Sequence, residues 1–246
     1  MPSRTKAQRK PGSATVAAKA SVAPRSLKPD RKRCIGVAVE SVHDAWFMGL
    51  LAGIEEELAK RQTSVMLSGL KVRGKYDPST VATWIDERRV DGIIFVCYTQ
   101  SERALLDAAQ AAEIPVTFIC PEQTLGAGYT IRCRNFDAGR TLGEHLLALG
   151  HRRIGFAGGP KDSIDSFDRL RGLKEVVEAA RCTMKAEDIG FASSYLREAG
   201  SKAAAEFLSR PTGRRPTAMV LGNDSMALAF IRELLCAGLD VPGELS

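Results

Sequence analysis

The sequence predicts an α/β protein built on parallel sheets. From Cys34 onward, short and nearly continuous apolar runs alternate with segments whose apolar residues recur every three or four positions. Strands covered by helices on both faces give continuous apolar runs, and alternation with helical segments is typical of a parallel sheet. The order strand, helix, strand occurs in two blocks of the chain, so we expect two doubly wound sheets.

Eight runs are predicted as strands: CIGVAVE, SVMLSG, DGIIFVCY, PVTFIC, YTIRC, RRIGFAGG, DIGFA and TAMVLG. Seven helices are predicted at 45–61, 78–89, 101–112, 137–149, 166–180, 196–209 and 225–237. In the first helix, Phe47, Leu50 and Ile54 share one stripe at the spacing of an amphipathic helix. The last residues, VPGELS, indicate the opening of one more strand.

Positive charge is concentrated in the first 33 residues. The whole chain carries a net charge of +6, yet residues 1–33 hold ten Lys or Arg against one Asp, which leaves −3 for residues 34–246. This Pro-containing, apolar-poor segment cannot bury enough surface to offset chain entropy, so we expect a disordered tail or remnant linker. Clustered cations favour contact with nucleic-acid phosphates, and a plain solvating extension is the alternative. The candidate contacts are Arg25, Lys28, Arg31, Lys32 and Arg33.

The sequence lacks the apolar run of a signal peptide or a membrane span, so we expect a cytoplasmic protein with no membrane partner. An Arg- and Ser-containing start leaves a transit peptide as another interpretation. The six cysteines are far apart, without a C-x-x-C motif or a nearby histidine pair. This spacing predicts neither a zinc site nor a redox motif, and several cysteines are expected to be small core residues.

Catalytic motifs are missing from the sequence. His43, His145 and His151 are scattered, and no G-x-S-x-G elbow accompanies them. The run GFAGGPKDS lacks the spacing of a phosphate-binding loop, so it is interpreted as a strand-to-helix turn. The evenly spaced acids after it, at positions 162, 165 and 168, are expected to be helix-start carboxylates. We therefore expect a binding protein without a cofactor or metal rather than an enzyme.

Polar and aromatic residues that follow the strands predict a small-ligand pocket, because ligands bind at the carboxyl ends of parallel strands. Arg169 offers a planar fork of donors, and Asn223 offers a donor and an acceptor on one amide. Trp46, Phe47 and Tyr195 could supply flat faces for a sugar or nucleobase ring. The alternatives are a helix cap for Asn223 and a solvated side chain for Arg169.

Four segments resemble, in order and at family spacing, the effector-binding core of the lactose-repressor and galactose-repressor family of bacterial transcription regulators. They are CIGVAVESVHDAWFMGLLAGIEEELAKR, RVDGIIF, NFDAGRTLGEHLLALGHRRIGFAGGP and VLGNDSMALAFIRELLCAGLDVPGELS. The resemblance implies a type I periplasmic-binding-protein fold, with a small effector between two subdomains and a dimer bound to DNA. A solute-binding protein of a transport system shares this fold and is the alternative.

By position, the resemblance implies that Arg169 holds the effector and that Asn223 is the cleft amide of the family's ND motif. Tyr195 falls near a ring-stacking aromatic, and Phe47 matches the aromatic after the first strand. Cys120 stands where sugar-binding members often carry an acid, which departs from a typical contact to a sugar hydroxyl.

The resemblance divides the chain into a tail (1–33), an N-terminal sensor subdomain (34–133) and a C-terminal sensor subdomain (134–246). Family members begin with a helix-turn-helix, for which there is no room before Cys34, and they continue beyond VPGELS. The hypothesis is a chain truncated at its C-terminus, with an incomplete first subdomain, low solubility or dependence on a partner, and doubtful DNA binding on its own.

Overall fold

The computed structural model describes residues 33–40, 42, 45–72, 75–122, 128–182 and 184–246. Four of the predicted nucleic-acid contacts, Arg25, Lys28, Arg31 and Lys32, lie outside the described residues, as does His43. Arg33 is described and is exposed to solvent.

The strands are β1 (Cys34–Val39), β2 (Ser64–Gly69), β3 (Lys71–Val72), β4 (Lys75–Tyr76), β5 (Gly92–Val96), β6 (Val116–Ile119), β7 (Tyr129–Ile131), β8 (Ile154–Gly158), β9 (Ile189–Phe191) and β10 (Ala218–Leu221). The helices are α1 (Ala45–Lys60), α2 (Ser79–Asp86), α3 (Arg103–Ala111), α4 (Asn135–Ala148), α5 (Ile164–Ala179), α6 (Arg197–Leu208) and α7 (Asp224–Cys236). All eight predicted strands and seven predicted helices are present. The short antiparallel pair β3–β4 was not predicted.

Two parallel sheets form the framework, which confirms the predicted α/β class. The first has the order β2-β1-β5-β6-β7 and the second the order β10-β8-β9. The strand that follows β1 in the chain, β2, lies on one side of β1, and β5 lies on the other side. In the same way, β9 and β10 lie on opposite sides of β8, so the strand order reverses at β1 and at β8. Such a reversal opens a crevice at the carboxyl ends of the strands. The subdomain boundary between 133 and 134 falls between the sheets and stays a prediction.

Apolar side chains lie on both faces of each sheet, as expected for continuous apolar strands. In the first sheet, Phe95 and Phe118 pack with Trp84 of α2 on one face, while Val37 packs with Phe47 of α1 on the other. In the second sheet, α4 and α5 cover one face and α6 and α7 contribute to the other cluster. Each sheet therefore lies between layers of helices.

Helices α4 and α5 touch through glycines. A Cβ atom added at Gly139 would lie 2.0 Å from the carbonyl oxygen of Arg169, and one added at Gly172 would lie 2.0 Å from that of Phe136. Only hydrogen side chains allow the two backbones to approach this closely. This approach places the first residue of α4, Asn135, beside Arg169 of α5.

The second sheet continues at its β10 edge. Ser246 accepts a hydrogen bond from the Met219 amide at 2.7 Å and donates one to the Thr217 carbonyl at 3.1 Å. The neighbouring Leu245 is 3% exposed and packs with Phe230. The predicted strand opening at VPGELS thus corresponds to ladder-like pairing with β10. Within the described ranges, the helices are too short or too polar to cross a bilayer.

Candidate functional site

The candidate site lies at the carboxyl ends of β8 and β10, at the crevice of the second sheet. Gly158 ends β8, and Gly222 follows β10. A Cβ atom at Gly222 would lie 2.9 Å from the backbone nitrogen of Gly159, so the two turns touch. Side chains from α5, from the loop after β9 and from the start of α7 surround these glycines.

Arg169 joins three elements at this site. Its Nη2 donates to the Asn135 side-chain oxygen at 2.5 Å, and its Nη1 donates to the Gly222 carbonyl. The side chain is half-buried. These contacts exclude the alternative of a freely solvated arginine. Since a guanidinium carries five N–H donors, Arg169 keeps further donors for a ligand.

Asn223 caps α7. Its side-chain oxygen accepts from the Met226 amide at 2.9 Å, which is the usual bond of an N-cap residue. Its Nδ2 donates to the Tyr195 carbonyl at 3.0 Å. The helix-cap alternative is therefore what the structure shows. The oxygen keeps a second lone pair and the nitrogen a second proton, so a ligand contact stays a prediction.

Neighbouring groups hold both the hydroxyl and the ring of Tyr195. Its hydroxyl lies 2.8 Å from the hydroxyls of both Ser163 and Ser166, and its ring covers Gly159, where a Cβ atom would lie 2.3 Å from the ring. One face of the ring therefore packs on the turn after β8. The proposed stacking of this ring on a ligand stays a prediction.

Asp165 adds a carboxyl to the candidate site, whereas the sequence predicted only a helix-start carboxylate at this position. Burial raises the pKa of its carboxyl above the ordinary value, although Arg169, Arg132 and a hydrogen bond from Asn135 act in the opposite direction. Asn135, 5% exposed, thus connects Asp165 to Arg169. Asn135 could not be singled out from the sequence, because an asparagine after a short strand is most often a turn or cap residue.

The carboxyl end of the first sheet faces this cluster closely enough for charges to interact. Burial is the main cause that raises the pKa of the Cys97 thiol after β5, and the charge of Asp165 adds to it. Burial likewise raises the pKa of Glu122 beyond β6, with a contribution from Asp162. Arg132, just after β7, in turn acts on Asp165. Charged groups at the carboxyl ends of both sheets therefore influence one another's pKa values.

The two predicted aromatics, Trp46 and Phe47, lie in the first turn of α1. Phe47 is 7% exposed and belongs to the core with Val37 and Val39. Trp46 is 44% exposed and meets Phe47 edge-on, with 5.2 Å between ring centroids. The structure brings Arg169, Asn223 and Tyr195 together, but it places Phe47 in the core, and a ligand contact by either aromatic stays a prediction.

A separate open groove runs along α4 and α5. It is lined by Phe136, Phe167, Leu170, Arg171 and Lys174, with Glu175 and Glu178. None of the predicted ligand residues lines it, so we assign the site to the strand ends instead. Across the part of the chain described above, no group of three or more His, Cys, Asp or Glu side chains could hold a metal ion.

The geometry agrees with a known family. A family model described as periplasmic binding proteins and sugar binding domain of the LacI family matches residues 32–246. The chain belongs to this family. The match covers both sheets of this LacI-family domain and every predicted ligand residue, which agrees with the resemblance found in its four segments.

Relatives of the LacI-family domain include regulators of known structure. The transcriptional repressor PurR of Haemophilus influenzae is 27% identical over 231 residues, covering 92% of this chain and 66% of the repressor. A regulator from Bacillus cereus has a TM-score of 0.76 at 22% identity, covering 88% of this chain and 77% of that one. One from Enterococcus faecium with bound ribose has a TM-score of 0.73 at 22% identity, covering 87% and 76%. The chain thus spans 66% of the PurR length, and the solved structures show the fold.

Proposed function

We propose that this chain is the effector-sensing core of a bacterial transcription regulator and that it binds a small sugar or nucleobase-like ligand between the carboxyl ends of its two sheets. The observation that carries the proposal is the hydrogen bond from Arg169 to Asn135 next to Asp165, with the charge of Arg132 at the end of β7 acting on the pKa of Asp165. A rigid guanidinium beside a carboxyl and an amide can hold vicinal hydroxyls or the polar edge of a base.

The relatives favour regulation over transport. PurR of Haemophilus influenzae is named a transcriptional repressor, and the structures from Bacillus cereus and Enterococcus faecium are regulators. The bound ribose of the Enterococcus faecium regulator supports a sugar-like ligand. In this proposal, ligand binding favours one arrangement of the two sheets, and a homodimer transmits that preference to DNA in the cytoplasm.

Calorimetric titration with a panel of monosaccharides, disaccharides and purine bases tests the proposal. We expect one class to bind saturably without being turned over, which also separates this protein from an enzyme. Arg169→Ala should weaken binding about tenfold to a hundredfold, because a hydrogen bond to a charged group contributes about 1.5–3 kcal/mol and 1.4 kcal/mol is tenfold.

Arg171→Ala is the matched control. Arg171 lies on the same helix, is exposed, and contacts Asp168 and the ring of Phe136 rather than the site. Its replacement should leave ligand affinity unchanged, and both variants should show the melting behaviour of a folded protein. Equal affinity of the Arg169→Ala variant and the parent would refute the assigned site, and turnover of a bound compound would refute the binding role.

A further inference from the structure

Cys120 and Cys133, which belong to no sequence motif, are in contact in the structure. The Sγ atoms of Cys120 and Cys133 lie 3.9 Å apart. Both are free thiols. The spacing of the cysteines predicted no redox motif, because such motifs place two cysteines close together in sequence. Here the parallel pairing of two strands places them side by side.

The backbone, rather than a flexible side chain, sets this contact. Cys120 follows β6 directly and adopts a left-handed conformation with φ of 47°. Its amide donates to the Ile131 carbonyl at 2.8 Å, which ties the end of β6 to the end of β7. Cys133 comes two residues after β7, so its position follows from the same strand pairing.

The two thiols differ in accessibility. Cys133 is exposed, whereas Cys120 is 8% exposed. Burial raises the pKa of the Cys120 thiol above its ordinary value, while a hydrogen bond from the Cys133 amide acts in the opposite direction. An oxidant in solution can therefore reach Cys133 first, and Cys120 is the protected partner within contact distance.

We propose that Cys120 and Cys133 are a reversible modification site, which a hydroperoxide oxidises to an intramolecular disulfide. The Cys133 sulfur attacks the terminal peroxide oxygen, so the O–O bond breaks, an S–O bond forms to give a sulfenic acid, and the other peroxide oxygen leaves with the thiol proton as water or an alcohol. The Cys120 sulfur then attacks the oxidised sulfur, so the S–O bond breaks, the S–S bond forms, and the hydroxide leaves with the Cys120 proton as water. The two sulfurs lose two electrons in total, the peroxide gains them, and a dithiol reductant reverses the bond by exchange.

The bond would tether a connection between the two sheets. Cys133 lies between β7 of the first sheet and α4 of the second, next to Arg132, whose charge acts on Asp165. A link from Cys133 to the end of β6 restricts this connection. Under the proposed function, oxidation should therefore change ligand affinity, but formation of the disulfide itself does not depend on any ligand.

Peptide mapping of the full chain tests the site. The reduced protein is treated with hydrogen peroxide, free thiols are blocked with N-ethylmaleimide, and the protein is digested with trypsin without a reductant. Cleavage after Arg103, Arg132 and Arg134 leaves Cys120 in the peptide 104–132 and Cys133 in a dipeptide with Arg134. We expect the dipeptide to remain attached to peptide 104–132 and to be released by dithiothreitol.

Cys133→Ser should abolish this linkage, and since Cys133 is exposed the variant is expected to keep its fold and its melting temperature. Cys236→Ser is the matched control, because Cys236 is an exposed thiol at the end of α7, and the linkage should persist. Cys133 found as a sulfinic or sulfonic acid beside a maleimide-blocked Cys120 would overturn the proposal. So would a linkage that involves Cys236 instead.

The mapping separates this proposal from the proposed function. A failed ligand titration leaves the peptide result unaffected, and an absent linkage leaves the ligand titration unaffected. If the linkage forms, calorimetry of the oxidised and reduced chain with the same ligand then measures the change in affinity.

Discussion

The side-chain amide of Asn135 stands between Arg169 and Asp165, and it accepts a 2.5 Å hydrogen bond from the Arg169 guanidinium. On its other side it hydrogen-bonds the Asp165 carboxylate. Asn135 is the first residue of α4, and the two charged residues belong to α5. The close contact of these helices therefore determines where the guanidinium points.

Gly139→Ala should destabilise the chain although alanine is the better helix former. The helix preference favours alanine by about 1 kcal/mol. The new Cβ atom would lie 2.0 Å from the carbonyl oxygen of Arg169, which is backbone and cannot rotate away. Overpacking of this kind costs about 1–3 kcal/mol, so we expect a net loss in urea unfolding and a displaced Arg169.

Gly53→Ala is the control for that prediction. Gly53 lies in α1, and a Cβ atom there would have no neighbour within 4 Å. The same change should therefore stabilise the chain by up to about 1 kcal/mol. Similar unfolding free energies for the two variants would show that the helix contact is looser than described.

Asn223→Ala should lower the free energy of unfolding. The variant loses the cap of α7 and the bond to the Tyr195 carbonyl, each of which contributes about 1 kcal/mol. Asn223→Asp keeps an oxygen for the cap but loses the Nδ2 donor, so it should be less destabilised than the alanine variant in urea unfolding. Equal losses for the two variants would mean that the cap contributes little.

Asp165→Asn should change how stability depends on pH. Burial raises the pKa of Asp165 above its ordinary value of 3.8 by more than Arg169, Arg132 and Asn135 lower it, while Asp168 adds to the rise. Between 3.8 and the raised value, the folded chain holds a proton that the unfolded chain has released. The stabilising contribution of the protonated carboxyl is therefore complete below 3.8 and is lost as the pH rises through the raised pKa.

The variant cannot titrate at this position, so its stability relative to the parent should increase with pH from about pH 4 upward. Urea unfolding at pH 4 to 7 measures this difference. Asp86→Asn is the control, because Asp86 is an exposed carboxylate at the end of another helix, α2. A difference between Asp165→Asn and the parent that stays constant over this range would contradict the assignment.

The elements of the fold could be predicted because their signals are local. The run CIGVAVE became β1 and the run DGIIFVCY became β5, since a strand buried on both faces needs apolar residues throughout. Helix α4 begins two residues before its predicted start, at Asn135, whose side chain accepts a hydrogen bond from Arg169 of α5. The pair β3–β4 was missed because two-residue strands leave no apolar run.

The site could be predicted only in part. Arg169, Asn223 and Tyr195 were expected near the strand ends, and the parallel order of β8 and β10 brings them together there. The contacts of Asn135 and Asp165 could not be predicted from the sequence. The partners of Asn135 lie on another helix, and the burial that raises the pKa of Asp165 exists only in the folded chain.

The sequence by itself determined the strands, the helices and the end of each sheet at which polar residues would gather, since apolar periodicity and strand direction are properties of short segments. Only the tertiary structure decided which of those residues touch. Arg169 meets a carbonyl 53 positions away, and Cys120 meets a thiol 13 positions away. Such contacts depend on strand order and on the glycine-mediated approach of α4 and α5, which no short segment encodes.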